Sequence, residues 1–220
     1  MNLNDISKIN RSKKEAEDHY NKISKYYDYL EGVFEKKHRN YALNKLKIEK
    51  GKNVLEIGPG TGHALKNVNE SVSSEGSVYG LDISRNMLSI CKKRLSDNNL
   101  LQNSVLIQGD GSRLPLKNSF FDYCFMSFSL ELFDTPDIDN VLSEIRRVLN
   151  EEGKICVVSL SKKNKLLVKL YELFHKLFPK GLDCRPIPVQ KLLEKNDFSI
   201  TYSENKNIIG LPIEIVIGKK

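Results

Sequence analysis

Val54-Leu55-Glu56-Ile57-Gly58-Pro59-Gly60-Thr61-Gly62 is a short apolar strand that runs straight into a glycine-rich turn. A strand buried on both faces of a parallel sheet reads as a near-continuous apolar run. A turn that brings bare backbone against a ligand needs residues without side chains, and Gly58, Gly60 and Gly62 supply it. Twenty residues past Gly62 a second apolar strand, Val78-Tyr79-Gly80-Leu81-Asp82, ends on a carboxylate.

The glycine spacing separates two ligand classes. A dinucleotide fingerprint is Gly-x-Gly-x-x-Gly, with the pyrophosphate on a helix N-terminus. Here the order is Gly-x-Gly-x-Gly, and His63 stands where the last glycine of that fingerprint would be. Glu56, just upstream of the turn, would repel a diphosphate and attract an ammonium group. Asp82 can accept hydrogen bonds from both hydroxyls of a ribose. Together these residues describe a site for a cationic, phosphate-free adenosyl compound, S-adenosylmethionine.

Over roughly residues 45 to 160 the chain resembles the class I S-adenosylmethionine-dependent methyltransferases. Gln108-Gly109-Asp110-Gly111-Ser112-Arg113-Leu114-Pro115-Leu116 is similar to the family's Gly-Asp-Ala…Leu-Pro-Phe segment, and Phe121-Asp122-Tyr123-Cys124-Phe125-Met126 to its fourth strand. Arg146-Arg147-Val148-Leu149-Asn150-Glu151-Glu152-Gly153-Lys154 resembles the Arg-x-Leu-Lys-Pro-Gly-Gly turn into the fifth strand, with Glu151-Glu152 in place of Pro-Gly. Within the superfamily the likeness is nearest to the small-molecule branch that includes the ubiquinone and menaquinone biosynthesis methyltransferases.

The resemblance implies an α/β, Rossmann-like fold: a mostly parallel seven-stranded sheet with an antiparallel C-terminal hairpin and helices on both faces. It implies S-adenosylmethionine as cofactor, S-adenosylhomocysteine as product, and no metal. The cofactor residues it implies are Glu56, Gly58, Pro59, Gly60, Gly62, Asp82, Ile83, Met87, Asp110, Gly111, Ser112 and Ser127, with Asp110 meeting the adenine amino group. The acceptor implied is small and hydrophobic or lipid-like, with Tyr27, Glu131 and Arg185 as candidate substrate contacts.

Composition agrees with such an enzyme. A chain of 220 residues, 40% of them hydrophobic, suffices for one domain with a substantial core. No stretch reaches the roughly 18 apolar residues of a membrane span, and the Asn-, Lys- and Asp-rich start lacks a signal peptide's apolar segment; a cytoplasmic protein is expected. Cys91, Cys124, Cys156 and Cys184 form no Cys-x-x-Cys pair, and the first three fall inside predicted elements as reduced packing residues. The net charge of +7 comes from lysines spread along the chain in pairs such as Lys36-Lys37, Lys92-Lys93 and Lys162-Lys163. No aromatic residues interleave them as a base-stacking surface requires, so nucleic acid is not expected as a partner.

Alternating strand and helix signals predict a parallel sheet covered on both faces. Helices are expected at 14–30, 35–47, 62–72, 84–97, 137–149, 164–178 and 188–195. Strands are expected at 53–58, 77–82, 104–108, 120–127, 153–160, 197–204 and 211–217. Residues 1–50 then form a helical N-terminal segment, 51–160 the cofactor core, and 161–220 an amphipathic helix, a substrate loop punctuated by Pro179, Pro186 and Pro188, and the hairpin.

Two segments outside the cofactor core bear on the acceptor. The N-terminal stretch carries Tyr20, Tyr26, Tyr27, Tyr29 and Phe34. In similar methyltransferases it is a lid; equally, the helical spacing of Tyr26, Tyr29 and Leu30 fits an aromatic stripe packed on the sheet. In 165–180, Leu166, Leu170, Leu173, Phe174 and Leu177 share one helical face, while Lys165, Lys169, Glu172 and Lys176 share another. That face can pack on the core, cover a hydrophobic substrate, or touch an anionic membrane surface.

Methyl transfer asks little of acid–base chemistry, because the sulfonium already makes the methyl group electrophilic; in-line positioning supplies most of the rate. An acceptor that must lose a proton gains from a base. Glu131, just past the fourth strand, is the candidate base, or else a surface acid. Arg185 is a ligand for an anionic substrate group, or else a cap on a helix carboxyl end. His175 reads as a polar-face residue, and His19, His38 and His63 have no metal-ligand spacing. Quinone-pathway enzymes typically carry Gly-x-Arg-Asn after the fourth strand, where this chain has Leu130-Glu131-Leu132-Phe133. Met126-Ser127-Phe128-Ser129 stands where enzymes that methylate base amines carry Asn-Pro-Pro-Tyr, which excludes that chemistry. The competing classes are a nucleic-acid or protein methyltransferase and a non-catalytic adenosyl- or NAD-binding module.

Overall fold

A computed structural model describes residues 12–31, 35–162, 185–208 and 210–220. Helices α1 (Lys13–Glu31) and α2 (Lys36–Leu46) precede β1 (Asn53–Ile57), α3 (His63–Val72), β2 (Ser77–Asp82), α4 (Arg85–Asp97), β3 (Ser104–Gln108) and β4 (Phe121–Ser127). Then come α5 (Thr135–Val148), β5 (Leu149–Leu160), α6 (Val189–Lys195), β6 (Ser199–Ile208) and β7 (Leu211–Lys219). The expected helix 164–178, with the amphipathic stretch 165–180, His175, Pro179 and Cys184, lies outside the described residues, as do Phe34 and the side chains of Tyr29 and Leu30.

The seven strands form one sheet in the order β3-β2-β1-β4-β5-β7-β6. Strands β1 to β5 pair in parallel, and β7 runs antiparallel between β5 and β6. This is the expected α/β sheet with its antiparallel hairpin. Burial follows position in the sheet: β7, enclosed between two strands, is buried from Pro212 to Gly218, whereas the edge strand β6 alternates between exposed and half-buried residues. The order reverses between β1 and β4, and a crevice opens at such a switch point beyond the strand carboxyl ends.

Side chains alternate between the two faces of the sheet. Leu55, Ile57, Leu81, Cys124 and Met126 pack beneath Ile138, Val141, Leu142 and Ile145 of α5 and Leu192 and Leu193 of α6. On the other face Val54, Val78, Phe125, Cys156 and Val158 meet Ala42 and Leu46 of α2, Leu65 and Val68 of α3, and Cys91 and Leu95 of α4. Cys91, Cys124 and Cys156 are buried and form no disulfide among the described residues. None of the described helices is long and apolar enough to cross a membrane.

Several boundaries move for local reasons. Helix α1 gains a capping box: Ser12 Oγ accepts from Glu15 N at 3.2 Å, while Glu15 Oε2 accepts from Ser12 N at 2.7 Å. Helix α5 begins at Thr135, where Asp134 accepts from the Thr135 amide and Pro136 occupies the first turn, a position with no amide proton to satisfy. Strand β5 starts at Leu149 instead of 153, because Leu149 pairs with Phe121 before a bulge carries the chain to the next pair, Lys154 with Tyr123. Strand β6 extends to Ile208. The expected stripe of Tyr26, Tyr29 and Leu30 is corrected at Tyr26, which is 69% exposed; the buried or half-buried positions of α1 include Ala16, Tyr20, Ser24 and Tyr27.

Gly62 fixes how α3 meets α4. Its φ is +87°, and a β-carbon there would lie 2.5 Å from Cys91 Sγ. Gly62→Ala therefore adds both left-handed strain and overpacking, an expected cost of about 2–5 kcal/mol in denaturant unfolding. If the clash with Cys91 is the cause, Gly62→Ala/Cys91→Ala will lose less than the two single variants combined; additive losses would disprove the contact.

Candidate active site

The crevice at the carboxyl ends of β1 to β4 is a single lined cleft. Strand β1 contributes Glu56 and the turn after it Gly58, Pro59, Gly60 and Thr61; the end of β2 gives Asp82 and Ile83 and the first turn of α4 Met87; the loop after β3 gives Asp110 and Gly111; and the end of β4 gives Ser127, Phe128 and Ser129. Lys13, Tyr20 and Tyr27 of α1 and Arg39 of α2 line it as well, as do Leu132 and Phe133, the latter against Gly111.

Asp82 joins two of these loops. Its Oδ2 accepts from the Gly60 amide at 3.0 Å and its Oδ1 from the Ser84 amide at 2.8 Å. Burial raises its carboxyl to about 6, although the amides of Ser84, Gly60 and Ile83 pull it down. A carboxylate offers about four lone-pair directions, so Asp82 keeps acceptor capacity after bonding to these amides. Glu56 is 2% exposed, and its Oε2 has no hydrogen-bond partner. Burial raises it to about 8, eased by the charge of Arg39 and increased by that of Asp82. An orphaned carboxylate oxygen in a cleft fits a cationic amine.

Asp110 accepts from Lys13 Nζ at 2.5 Å, from the Ser112 amide at 2.9 Å and from Ser112 Oγ at 2.8 Å. Burial alone would raise its carboxyl, but these bonds outweigh burial and hold it below the ordinary value. The loop that follows is clamped by α5: Arg147 donates to both oxygens of Glu144 at 2.7 and 2.8 Å, and to the carbonyls of Leu116 and Leu114 at 2.8 and 3.0 Å. This clamp ties the Gly-Asp…Leu-Pro segment to the distant arginine.

Helix α1 lies over the mouth of the cleft. Asn21 Oδ1 accepts from Ser84 Oγ at 2.7 Å and from the Asn86 amide at 3.1 Å, which satisfies a free amide in the first turn of α4. Gln108 Nε2 donates to Glu17 at 3.2 Å. Tyr27 of this helix comes to 3.5 Å from where a β-carbon on Gly60 would stand.

Of the expected site residues, Glu56, Gly58, Pro59, Gly60, Asp82, Ile83, Met87, Asp110, Gly111, Ser127 and Tyr27 line the cleft. Gly62 faces Cys91 instead, and Ser112 stands behind Asp110 as its donor. Glu131 and Arg185 need correction. Glu131 does not line the cleft; its single 3₁₀ turn, Leu130–Leu132, points the side chain under β5, where Oε1 accepts from the Leu160 amide at 3.3 Å. Burial raises it to about 7, against the pull of hydrogen bonds and of Arg185. Arg185 is 2% exposed and donates to the carbonyls of Glu131 and Phe133 and to Thr135 Oγ1, so it braces the turn that enters α5. Burial lowers it to about 10.

Thr61, Tyr20, Lys13 and Arg39 were not singled out from the sequence. Thr61 and Tyr20 sat in stretches already marked. Nothing in the sequence marked Lys13 or Arg39, because only tertiary packing brings α1 and α2 to the cleft.

Residues 8–181 match the model of the ubiE/COQ5 methyltransferase family. The demethylmenaquinone methyltransferase of Lactobacillus johnsonii is 32% identical over 76% of this chain and 69% of its own length. Among solved structures, the [4+2]-cyclase SpnF superposes with a TM-score of 0.77 at 15% identity over 98% of both chains. An S-adenosylmethionine-dependent methyltransferase from Aquifex aeolicus gives 0.62 at 17% identity, over 82% of this chain and 88% of that one. The structural likenesses speak for the fold, and a cyclase among them shows that the fold alone does not choose a reaction. The family match spans most of the chain and carries the glycine turn, Asp82 and Asp110 with it: the chain belongs to the ubiE/COQ5 methyltransferase family and is an S-adenosylmethionine-dependent methyltransferase.

Proposed function

We propose that the methyl acceptor is a small, lipid-like quinone in its reduced form, in keeping with the demethylmenaquinone for which the Lactobacillus relative is named. The observation that carries this reading is the polarity of the cleft. Beside Glu56, Asp82 and Asp110 the same lining carries Phe128, Leu132, Phe133, Tyr20 and Tyr27, with Phe133 against Gly111 and Tyr27 against Gly60. An aromatic ring with an apolar tail fits such a lining.

In this reading Asp82 accepts the ribose hydroxyls with its remaining lone pairs, and Asp110 with Gly111 meets the adenine. Ile83 and Met87 flank the adenine as apolar walls, Glu56 takes the ammonium, and Ser127 marks the β4 end of the site. The bound sulfonium supplies an electrophilic methyl group and a neutral thioether leaving group. The protein's part is to hold the acceptor in line and to exclude water under α1. With Glu131 turned under β5, no base from the β4 loop is assigned. A reduced short-chain demethylmenaquinone is expected to be methylated by the parent and by Glu131→Gln at rates within about tenfold of each other, while Asp82→Ala loses S-adenosylhomocysteine binding by calorimetry. No methylation of any quinol by a protein that binds S-adenosylhomocysteine would reject this acceptor class.

The amphipathic sequence 165–180 supports delivery of such an acceptor from an anionic membrane surface. The protein should sediment with phosphatidylglycerol vesicles but not with neutral ones; no difference would remove this part.

The ionisation of Glu56 gives a separate check. Its proton is bound in the folded protein up to about pH 8, while the unfolded chain releases it near the ordinary 4.5. Between those values the folded state holds the extra proton, so the stability tied to it is complete at low pH and is lost as pH rises. Glu56→Gln should therefore gain thermal stability relative to the parent from pH 5 to pH 8.5 without ligand. A difference in melting temperature that stays constant across this range would contradict the raised ionisation.

A further inference from the structure

We propose that Arg39 binds the carboxylate at the amino-acid end of the cofactor, so that Arg39 and Glu56 together clamp a zwitterion. The inference rests on the S-adenosylmethionine reading and adds to it a residue from outside the cofactor core.

Arg39 is 7% exposed and lines the cleft, as does Glu56 at 2% exposed. Both carry an orphaned atom: Arg39 Nε and Glu56 Oε2 have no hydrogen-bond partner. The two charges are close enough for Arg39 to ease the ionisation of Glu56, yet no hydrogen bond or ion pair joins them among the described residues. A purely structural buried pair would be bonded, because each partner left unpaired costs free energy. Here both stay short of partners and face the same space, which calls for a ligand bearing opposite charges at short separation. An α-amino acid has that form, with an ammonium for Glu56 and a carboxylate whose two oxygens match the guanidinium fork.

The helix carrying Arg39 is firmly seated. Ala42 and Leu46, three and seven residues on, share its inward face and are buried in the core. Tyr41 Oη donates to Glu204 of β6 at 2.7 Å, and Asn40 Oδ1 accepts from Asn67 of α3 at 2.9 Å. The neighbouring His38 is held below its ordinary value by burial, then by Lys37 and Lys206, so the surrounding field is positive. These contacts place Arg39 before any ligand arrives, as binding groups require.

The test is calorimetric binding to the parent, Arg39→Gln and Arg39→Lys of three compounds: S-adenosylhomocysteine, decarboxylated S-adenosylhomocysteine, which keeps the amine, and 5′-methylthioadenosine, which lacks both groups. The parent should prefer S-adenosylhomocysteine to the decarboxylated compound by about 10- to 100-fold. In Arg39→Gln that preference should fall to within about threefold of one while the affinity for 5′-methylthioadenosine holds, and Arg39→Lys should recover part of it. Equal weakening toward all three compounds would make Arg39 a structural residue and overturn the proposal, as would a preference that survives in Arg39→Gln. A parent that binds none of the three would instead refute the cofactor reading, which distinguishes that failure from an error about Arg39.

Discussion

The bond from the Gly60 amide to the Asp82 carboxylate holds the site together, because it ties the turn after β1 to the end of β2. A second bond, from the Gly58 amide to the Leu81 carbonyl at 2.8 Å, fixes the same junction through the backbone. The price is a carboxylate only 8% exposed, and burial raises it to about 6. Without these links the glycine turn would be an ordinary loop. With them, Glu56, Gly60 and Asp82 are held at the switch point of the sheet, and the cleft is in place before any ligand enters.

The seating of α1 depends on the same junction. Asn21 of α1 reaches Ser84 and Asn86, which start α4 immediately after Asp82, and Lys13 reaches Asp110 and Asp137. The Lys13 side chain is 54% exposed, so its ion pairs add little stability and are screened by salt. The Asn21 contacts fill amide positions that would otherwise be open at the helix start. One end of α1 is thus held by weak charge pairs over the β3 loop, and its middle by capping bonds over the β2 loop.

The sheet was legible because its strands are buried and its turns carry glycine. Val54 to Gly62 and Val78 to Asp82 fix two adjacent parallel strands and the switch point beside them; the lining of the cleft from Glu56 to Asp82 follows from those two segments, and Asp110 and Gly111 from the Gln108–Leu116 segment. Ser112 and Gly62 were assigned to the ligand because spacing cannot tell a residue that faces a cleft from one that supports it. Gly62 is glycine on account of Cys91, twenty-nine residues away in the sequence. Arg39 escaped notice for the converse reason. It lies in the lysine-rich, weakly patterned segment Lys36-Lys37-His38-Arg39, which reads as solvated surface until α2 is laid against the sheet.

Glu131 and Arg185 show how a departure from a family pattern is absorbed. Spacing put Glu131 beside the acceptor, where quinone-pathway relatives carry Arg-Asn. In the fold, the 3₁₀ turn rotates it under β5, while Leu132 and Phe133 line the cleft. A carboxylate taken so far from water must keep its proton or find partners, and the Leu160 amide, Ser159 and the charge of Arg185 answer part of that need. Arg185 in turn spends its donors on the carbonyls of residues 131 and 133 and on Thr135, so it is not left to hold an anionic substrate. Leu132 and Phe133 thus present apolar surface to the cleft, with the charges of Glu131 and Arg185 held behind it. An acceptor at this surface would be held by ring and chain contacts more than by a charged group, which favours shape over hydrogen bonding as the basis of its selection.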